Sequence, residues 1–215
     1  MPKKINKDIG YPVYEALIDD DDKDSTGMRF VSIVDDPAIE VKGMFFNSKG
    51  SLKNLEFKPV ADQQMLVGPA LIPDKNIFRS DEDGEYYIRF SKDTVKKMVE
   101  KFNRNQNNRS INVDHSNVMV DAFIMENWIV QDSVYDKSKF YGFNLPVGSW
   151  FVCMKILDQK FWDDQVKKGG KYSFSIEGML YQSLTPMQLN KEYNDLEELL
   201  NDLSDEEILN LLKNN

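Results

Sequence analysis

With 215 residues, the chain can bury one substantial hydrophobic core and at most a short appendage. No apolar run approaches the roughly 20 residues that cross a bilayer, and the basic first residues are not followed by the apolar stretch of a signal peptide. The formal net charge of -9 argues against a general affinity for nucleic acid, because phosphate binding needs clustered Lys and Arg. We therefore expect a cytosolic protein whose partners are other proteins, with no nucleic-acid or membrane partner.

The cysteine and histidine content restricts metal chemistry. The chain has one cysteine, Cys153, and one histidine, His115, which excludes an intramolecular disulfide and argues against a zinc site. Cys153 lies in an apolar segment with no adjacent base, which favours a small buried side chain over a nucleophile. We expect neither a metal nor a cofactor.

The N-terminal half predicts mainly strands. Its first apolar stretch predicts an edge strand, and the acidic run 19–24 that follows predicts a solvated loop, with a calcium site as the weaker alternative. Later strands are bounded by turn residues such as Asp35-Asp36-Pro37. The predicted strands are Tyr11–Ile18, Met28–Val34, Val41–Phe46, Leu55–Val60, Gln64–Ile72 and Tyr86–Phe90.

Two helices are predicted, the first just before the middle of the chain and the other in its second half. The first is amphipathic, begins after the N-cap residue Ser91 and ends near Asn105. The second covers Asp158–Lys168 and is closed by Gly169-Gly170. The apolar positions of the first helix are Val95, Met98, Val99 and Phe102, and the strands of this half are Ile111–Asp114, Ala122–Gln131, Ser149–Ile156 and Lys171–Tyr181.

The C-terminal tail is acidic and has helical spacing. Residues 189–215 hold two Lys and eight Asp or Glu, and Ser204 with Glu207 forms a capping box. This tail is either an amphipathic hairpin packed on the main domain or a helix that engages another protein. We expect three segments: a strand and acidic loop over 1–27, a main domain over 28–183, and an acidic helical tail over 184–215.

The last predicted strand carries the residues that are suited to nucleophilic chemistry. Alternate side chains of a strand face opposite ways, so Ser173, Ser175 and Glu177 share one face, opposite the apolar Phe174 and Ile176. A serine is nucleophilic at neutral pH only when a neighbouring base accepts its proton, and histidine suits that role. The chain offers a single histidine for it.

The histidine follows a short apolar strand, and would share a face with Ile111 and Val113 if that strand extended to His115. The ordinary interpretation is a histidine packed at the edge of the core. Likewise, the two serines of the last strand could be simple surface hydroxyls. Motif spacing alone does not decide between these interpretations.

Several segments resemble the phage serine protease family of prohead proteases. The resemblance rests on Val31 to Ile39, Val67 to Asp74, the segment around His115 with Glu126 to Val130, Gly148 to Val152, and Gly170 to Gly178 with its Ser-Ile-Glu-Gly run, in that order along 28–180.

This resemblance implies an α+β fold with a predominantly antiparallel, closed or nearly closed β-barrel flanked by helices, similar to the herpesvirus maturation protease. It also implies Ser175 as the nucleophile and His115 as the general base, in a protease domain over 28–183. Ser173 is the rival nucleophile, because it lies two residues away on the same face.

The third catalytic residue is open. The herpesvirus enzymes resemble a Ser-His-His arrangement, and this chain has no second histidine. Glu177 is the preferred partner because it shares the face of Ser175. Glu126 is a further option, and the absence of any third residue is also left open. Asp114 is disfavoured because it would point away from His115 in a regular strand.

The resemblance implies a prohead maturation endopeptidase that cleaves scaffold and major capsid protein precursors inside the procapsid, in the host cytoplasm. A homo-oligomer is left open. The alternative is a non-enzymatic head or scaffold-associated protein with a protease-like barrel, and the acidic tail could engage scaffold or capsid protein in either case.

Overall fold

The computed structural model describes residues 11–19, 26–40, 44–46, 63–82, 84–170 and 173–184. Within these ranges it is a mixed α+β structure, built mostly from strands with two short helices. The strands are β1 (Val13–Leu17), β2 (Gly27–Val34), β3 (Met44–Phe46), β4 (Met65–Leu71), β5 (Ile77–Asp81), β6 (Gly84–Arg89), β7 (Ile111–Val113), β8 (Ala122–Ile129), β9 (Trp150–Ile156), β10 (Ser173–Met179) and β11 (Tyr181–Leu184).

The helices agree with the sequence patterns. Helix α1 (Lys92–Arg104) begins after Ser91, whose hydroxyl accepts a hydrogen bond from the backbone N–H of Thr94. Helix α2 (Gln159–Phe161) continues as the π-helical segment Trp162–Lys167, so the predicted second helix is confirmed in place, with a wider last turn. Single 3₁₀ turns lie at Asn107–Arg109 and Lys137–Tyr141.

The described strands form three sheets. Their orders are β11-β1-β6-β5, β10-β2-β7 and β3-β4-β9-β8. Most neighbours are antiparallel, but β1 pairs with β6 and β2 pairs with β7 in parallel. The predicted antiparallel character is confirmed for most strand pairs. The described sheets are not joined into a closed barrel, so the barrel stays a prediction.

One strand assignment was wrong. The N-terminal strand β1 was expected at an edge, but it pairs with β11 on one side and β6 on the other. Its apolar residues therefore fit an interior strand, and Ala16 is fully buried. Strands β5 and β11, which form the two edges of this sheet, were not predicted.

Large aromatic side chains fill the core between the sheets and α1. Phe102 of α1 packs edge-on against Trp150 of β9, with ring centroids 5.4 Å apart, and both are fully buried. Trp162 and Phe174 are also fully buried. This core holds β10 and β2 in place, and these two strands carry the polar residues described below.

Several predictions lie outside the described residues. They are the strand Leu55–Val60, most of the acidic run and, beyond residue 184, the helical tail predicted over 184–215. Nothing in the described part of the chain tests the three-segment division. No helix within the described ranges has the length and apolar character needed to cross a bilayer.

Candidate active site

Three polar side chains form a row across the sheet β10-β2-β7. Ser175 of β10 is paired with Ser32 of β2, and Ser32 is paired with Asn112 of β7. Directly paired residues of neighbouring strands project to the same face, so these side chains lie side by side. All three are buried, and buried polar groups of this kind need hydrogen-bond partners.

His115 reaches this row from a tight turn after β7. The strand ends at Val113, and Asp114 and His115 have left-handed backbone, with φ of 49° and 55°. The N–H of Ser116 donates to the carbonyl of Val113 at 2.9 Å. Positive φ at both central residues is the pattern of a type I′ hairpin turn, and Asp and His are among the residue types enriched in this conformation.

The turn changes which way the imidazole points. His115 was expected to share a face with Ile111 and Val113 if the strand continued, but the strand does not continue. Instead the imidazole joins the face of Asn112, where Ser32 and Ser175 also lie. Two successive non-glycine residues in the left-handed region store about 1–2 kcal/mol each, and such strain is typical of functional positions.

Both ring nitrogens of His115 have partners. Nε2 lies 3.0 Å from the hydroxyl oxygen of Ser175. Nδ1 lies 3.1 Å from the hydroxyl oxygen of Ser32 and 3.5 Å from Oε2 of Glu177. The serine, histidine and glutamate that the sequence analysis singled out therefore lie in one cluster.

A second set of hydrogen bonds runs behind the imidazole. The Ser32 hydroxyl donates to Oδ1 of Asn112 at 2.5 Å, and Nδ2 of Asn112 donates to Oε2 of Glu177 at 3.0 Å. Ser32 and Asn112 are almost completely buried, whereas the His115 and Glu177 side chains are 44% and 42% exposed. The imidazole is thus held from the protein side and open on the other.

The glycine after Glu177 allows two strands to approach closely. A Cβ atom at Gly178 would lie 2.2 Å from the carbonyl oxygen of Gly27 and 2.7 Å from Cα of Met28. The β10–β2 register shifts between Glu177 and Gly178, which marks a β-bulge. Only glycine fits this contact, which explains the Gly at the end of the Ser-Ile-Glu-Gly run. The carboxylate of Glu177 therefore lies directly before the bulge.

The cluster opens into a cleft of about 780 Å³. His115, Ser175 and Glu177 line it, together with apolar groups such as Phe90 and Leu180. This volume is typical of sites that bind drug-sized ligands or short peptide segments. The acidic residues Asp35, Asp36 and Asp114 and the cation of Arg79 also line the cleft, so its walls are mainly negative.

Other sequence candidates lie elsewhere. Ser173 is fully buried opposite Val34, one strand repeat from Ser175. Glu126 of β8 forms an ion pair with Lys137 and not with the imidazole. In the part of the chain that the structure describes, no group of His, Cys, Asp and Glu could hold a metal ion.

Ser32 and Asn112 were not predicted as site residues. Each is a polar residue inside a short apolar strand, Phe30 to Val34 for Ser32 and Ile111 to Val113 for Asn112. That pattern could have identified them, because a buried polar side chain requires a partner. It could not have identified which partner.

This geometry suits proton transfer. A serine hydroxyl next to an imidazole nitrogen, with an acidic group near the other nitrogen, is the arrangement by which serine hydrolases activate their nucleophile. The half-exposed imidazole and the cleft beside it leave room for a substrate carbonyl.

The model of a protein family described as putative phage serine protease XkdF matches residues 54–182, more than half of the chain. The chain belongs to this family. The phage serine protease match includes His115, Ser175 and Glu177, and it supports a protease role in a phage. It begins after Ser32, whereas the resemblance noted from the sequence began at residue 28. No curated protein and no solved structure matches the chain.

Proposed function

We propose that this protein is a serine endopeptidase of phage head assembly, which cleaves scaffold and major capsid protein precursor segments inside the procapsid in the host cytoplasm. The single observation that carries the proposal is the 3.0 Å contact between Nε2 of His115 and the hydroxyl of Ser175. Family membership supports the reaction class, and the cleft beside the hydroxyl supports a peptide substrate.

In this mechanism Ser175 Oγ attacks the carbonyl carbon of the peptide while Nε2 of His115 takes the hydroxyl proton. The tetrahedral intermediate collapses, His115 gives that proton to the leaving amine, and the C–N bond breaks. Water then attacks the acyl-enzyme ester while His115 accepts a proton from it. The ester C–Oγ bond breaks, His115 returns that proton to Ser175 Oγ, and the new carboxylic acid leaves.

Glu177 is the acidic member of the proposed triad. Its Oε2 lies 3.5 Å from Nδ1 of His115, so its negative charge stabilises the imidazolium that forms when Ser175 loses its proton. The pair is about two-fifths exposed, and solvent screening keeps this contribution modest.

Two measurements test the proposal. The first is labelling with a fluorophosphonate, in which Ser175 Oγ forms the bond to phosphorus, fluoride leaves and His115 takes the proton. Wild type should gain the phosphonyl mass on the peptide that contains Ser175, and Ser175→Ala and His115→Ala should not. The second is cleavage of the scaffold or capsid precursor, which should stop in the same two variants.

The alternative, a non-enzymatic head protein, gives the opposite outcome. Equal precursor processing by wild type, Ser175→Ala and His115→Ala, with no labelling at Ser175, would rule out the protease. Ser149→Ala is a matched control, because it also removes a buried serine hydroxyl, and that hydroxyl bonds only to the carbonyl of Pro146 in the described contacts.

A further inference from the structure

The donors and acceptors behind His115 form a series of hydrogen bonds in which the direction of each bond fixes the direction of the next. The series begins at Glu177, because an ionised carboxylate only accepts hydrogen bonds. The Asn112 atom 3.0 Å from this carboxylate must therefore be the amide nitrogen. The amide oxygen of Asn112 then faces Ser32.

The next step concerns the single proton of the Ser32 hydroxyl. The amide oxygen of Asn112 has no proton to give, so Ser32 donates its own proton to it, at 2.5 Å. The Ser32 oxygen can then only accept from the imidazole. Nδ1 of His115, 3.1 Å away, must carry the ring proton in the neutral form.

The last step reaches Ser175. When Nδ1 carries the proton, Nε2 has a free lone pair, and this lone pair faces the Ser175 hydroxyl at 3.0 Å. This is the tautomer that a general base needs, because the other tautomer would present an N–H to Ser175.

We infer that Ser32 and Asn112 are positioning residues that hold His115 in the Nδ1–H tautomer, a role that rests on the proposed function of Ser175 and His115. Two side chains then share the task of the third triad member. Ser32 Oγ, at 3.1 Å, is the closer acceptor for Nδ1–H, and Glu177 Oε2, at 3.5 Å, supplies the charge and sets the direction of the bonds. Neither Ser32 nor Asn112 lines the cleft, so neither should contact substrate.

The sole histidine allows a direct test. With ¹⁵N-histidine incorporated and no histidine tag, the two ring-nitrogen signals belong to His115 alone. At a pH where the ring is neutral, wild type and Ser175→Ala should both show a protonated Nδ1 and an unprotonated Nε2. Ser175→Ala shows whether the tautomer is held without the Ser175 contact.

Two substitutions interrupt this series of hydrogen bonds at different places. Ser32→Ala removes the acceptor, and the Nδ1–H preference should fall toward a mixture. Asn112→Leu leaves the Ser32 hydroxyl without its acceptor, so that hydroxyl should donate to Nδ1 and shift the ring to the Nε2–H tautomer. Ser32→Thr keeps a hydroxyl and should keep the wild-type tautomer.

The kinetic readout separates positioning from binding. In fluorophosphonate labelling, Ser32→Ala and Asn112→Leu should lower the maximal labelling rate on the order of 100-fold and leave the half-saturating probe concentration unchanged. Ser32→Thr should recover most of the rate, and Ser149→Ala should match wild type. Circular dichroism verifies that each variant is folded. If Asn112→Leu does not fold, the comparison of Ser32→Ala with Ser32→Thr tests the positioning role.

The positioning role would be overturned if the wild-type protein carried the ring proton on Nε2. It would also be overturned if Ser32→Ala kept both the tautomer and the labelling rate of the wild type. Failure of the proposed function has a different signature. In that case the tautomer still responds to Ser32→Ala, but Ser175 is not labelled in wild type.

Discussion

Ser175 and His115 are 60 residues apart in the sequence, and their hydroxyl oxygen and Nε2 lie 3.0 Å apart in the structure. The contact depends on two backbone features. Strand β10 pairs with β2 so that Ser175 stands opposite Ser32, and the left-handed turn at Asp114 and His115 brings the imidazole over that pair. This pair is therefore positioned by β2, which lies between β10 and β7.

The first prediction is that Ser175 and His115 act as one unit. Each single alanine substitution should reduce precursor cleavage by about 10³-fold or more, and the double variant should be no worse than either single one, because neither group works without the other. Rates of precursor cleavage measure this. Ser173→Ala, one strand repeat away, is the matched control and should stay within a few-fold of wild type. Loss of cleavage in Ser173→Ala with retention in Ser175→Ala would reverse the assignment.

The second prediction concerns the charge of Glu177. Glu177→Gln keeps an oxygen that accepts from Asn112 but removes the charge 3.5 Å from Nδ1. A half-exposed ion pair contributes at most about 1 kcal/mol, so the rate should fall by at most about fivefold. Salt screens this interaction, and the ratio of the wild-type to the Glu177→Gln rate should approach one as ionic strength rises. A ratio that is independent of salt would argue against a charge effect.

The third prediction concerns Gly178. A Cβ here would overlap the carbonyl of Gly27, and backbone atoms cannot move aside as a flexible side chain can. Gly178→Ala should lower the free energy of unfolding by about 2 kcal/mol or more and slow labelling of Ser175, because the bulge also places Glu177. Denaturant unfolding measures the first effect. Gly142→Ala is the matched control, since a Cβ there meets no atom within 4 Å, although its φ of 81° adds some strain.

The sequence was sufficient for features that depend on local spacing. The alternation in Ser173–Met179 predicted that Ser175 and Glu177 share a face, and both join the His115 cluster. The apolar spacing of α1 and its Ser91 cap predicted the helix closely. These patterns are set by the geometry of a single element, so the sequence alone contains them.

The features that the sequence did not predict depend on contacts between distant segments. Ser32 and Asn112 are 80 residues apart and meet through the parallel β2–β7 pairing, which leaves no local signal. The interior position of β1 also depends on distant strands, namely β6 and β11. The turn at His115 was not predicted, because Asp and His adopt positive φ only in some contexts. Neither residue is a glycine, which is the usual sequence signal of positive φ.

The fourth prediction concerns Cys153, the residue on which a cysteine hydrolase would depend. Burial within β9 raises the pKa of its thiol to about 11. At pH 8 only about one molecule in a thousand then carries the reactive thiolate. Iodoacetamide should therefore modify the native protein far more slowly than the denatured protein, and the modified fraction should rise as the pH approaches 11. Cys153→Ala should keep the wild-type rate of Ser175 labelling, since the thiol lies on a strand outside the sheet that carries Ser175. Fast alkylation of the folded protein at pH 8, with loss of precursor cleavage, would instead assign the reaction to the cysteine.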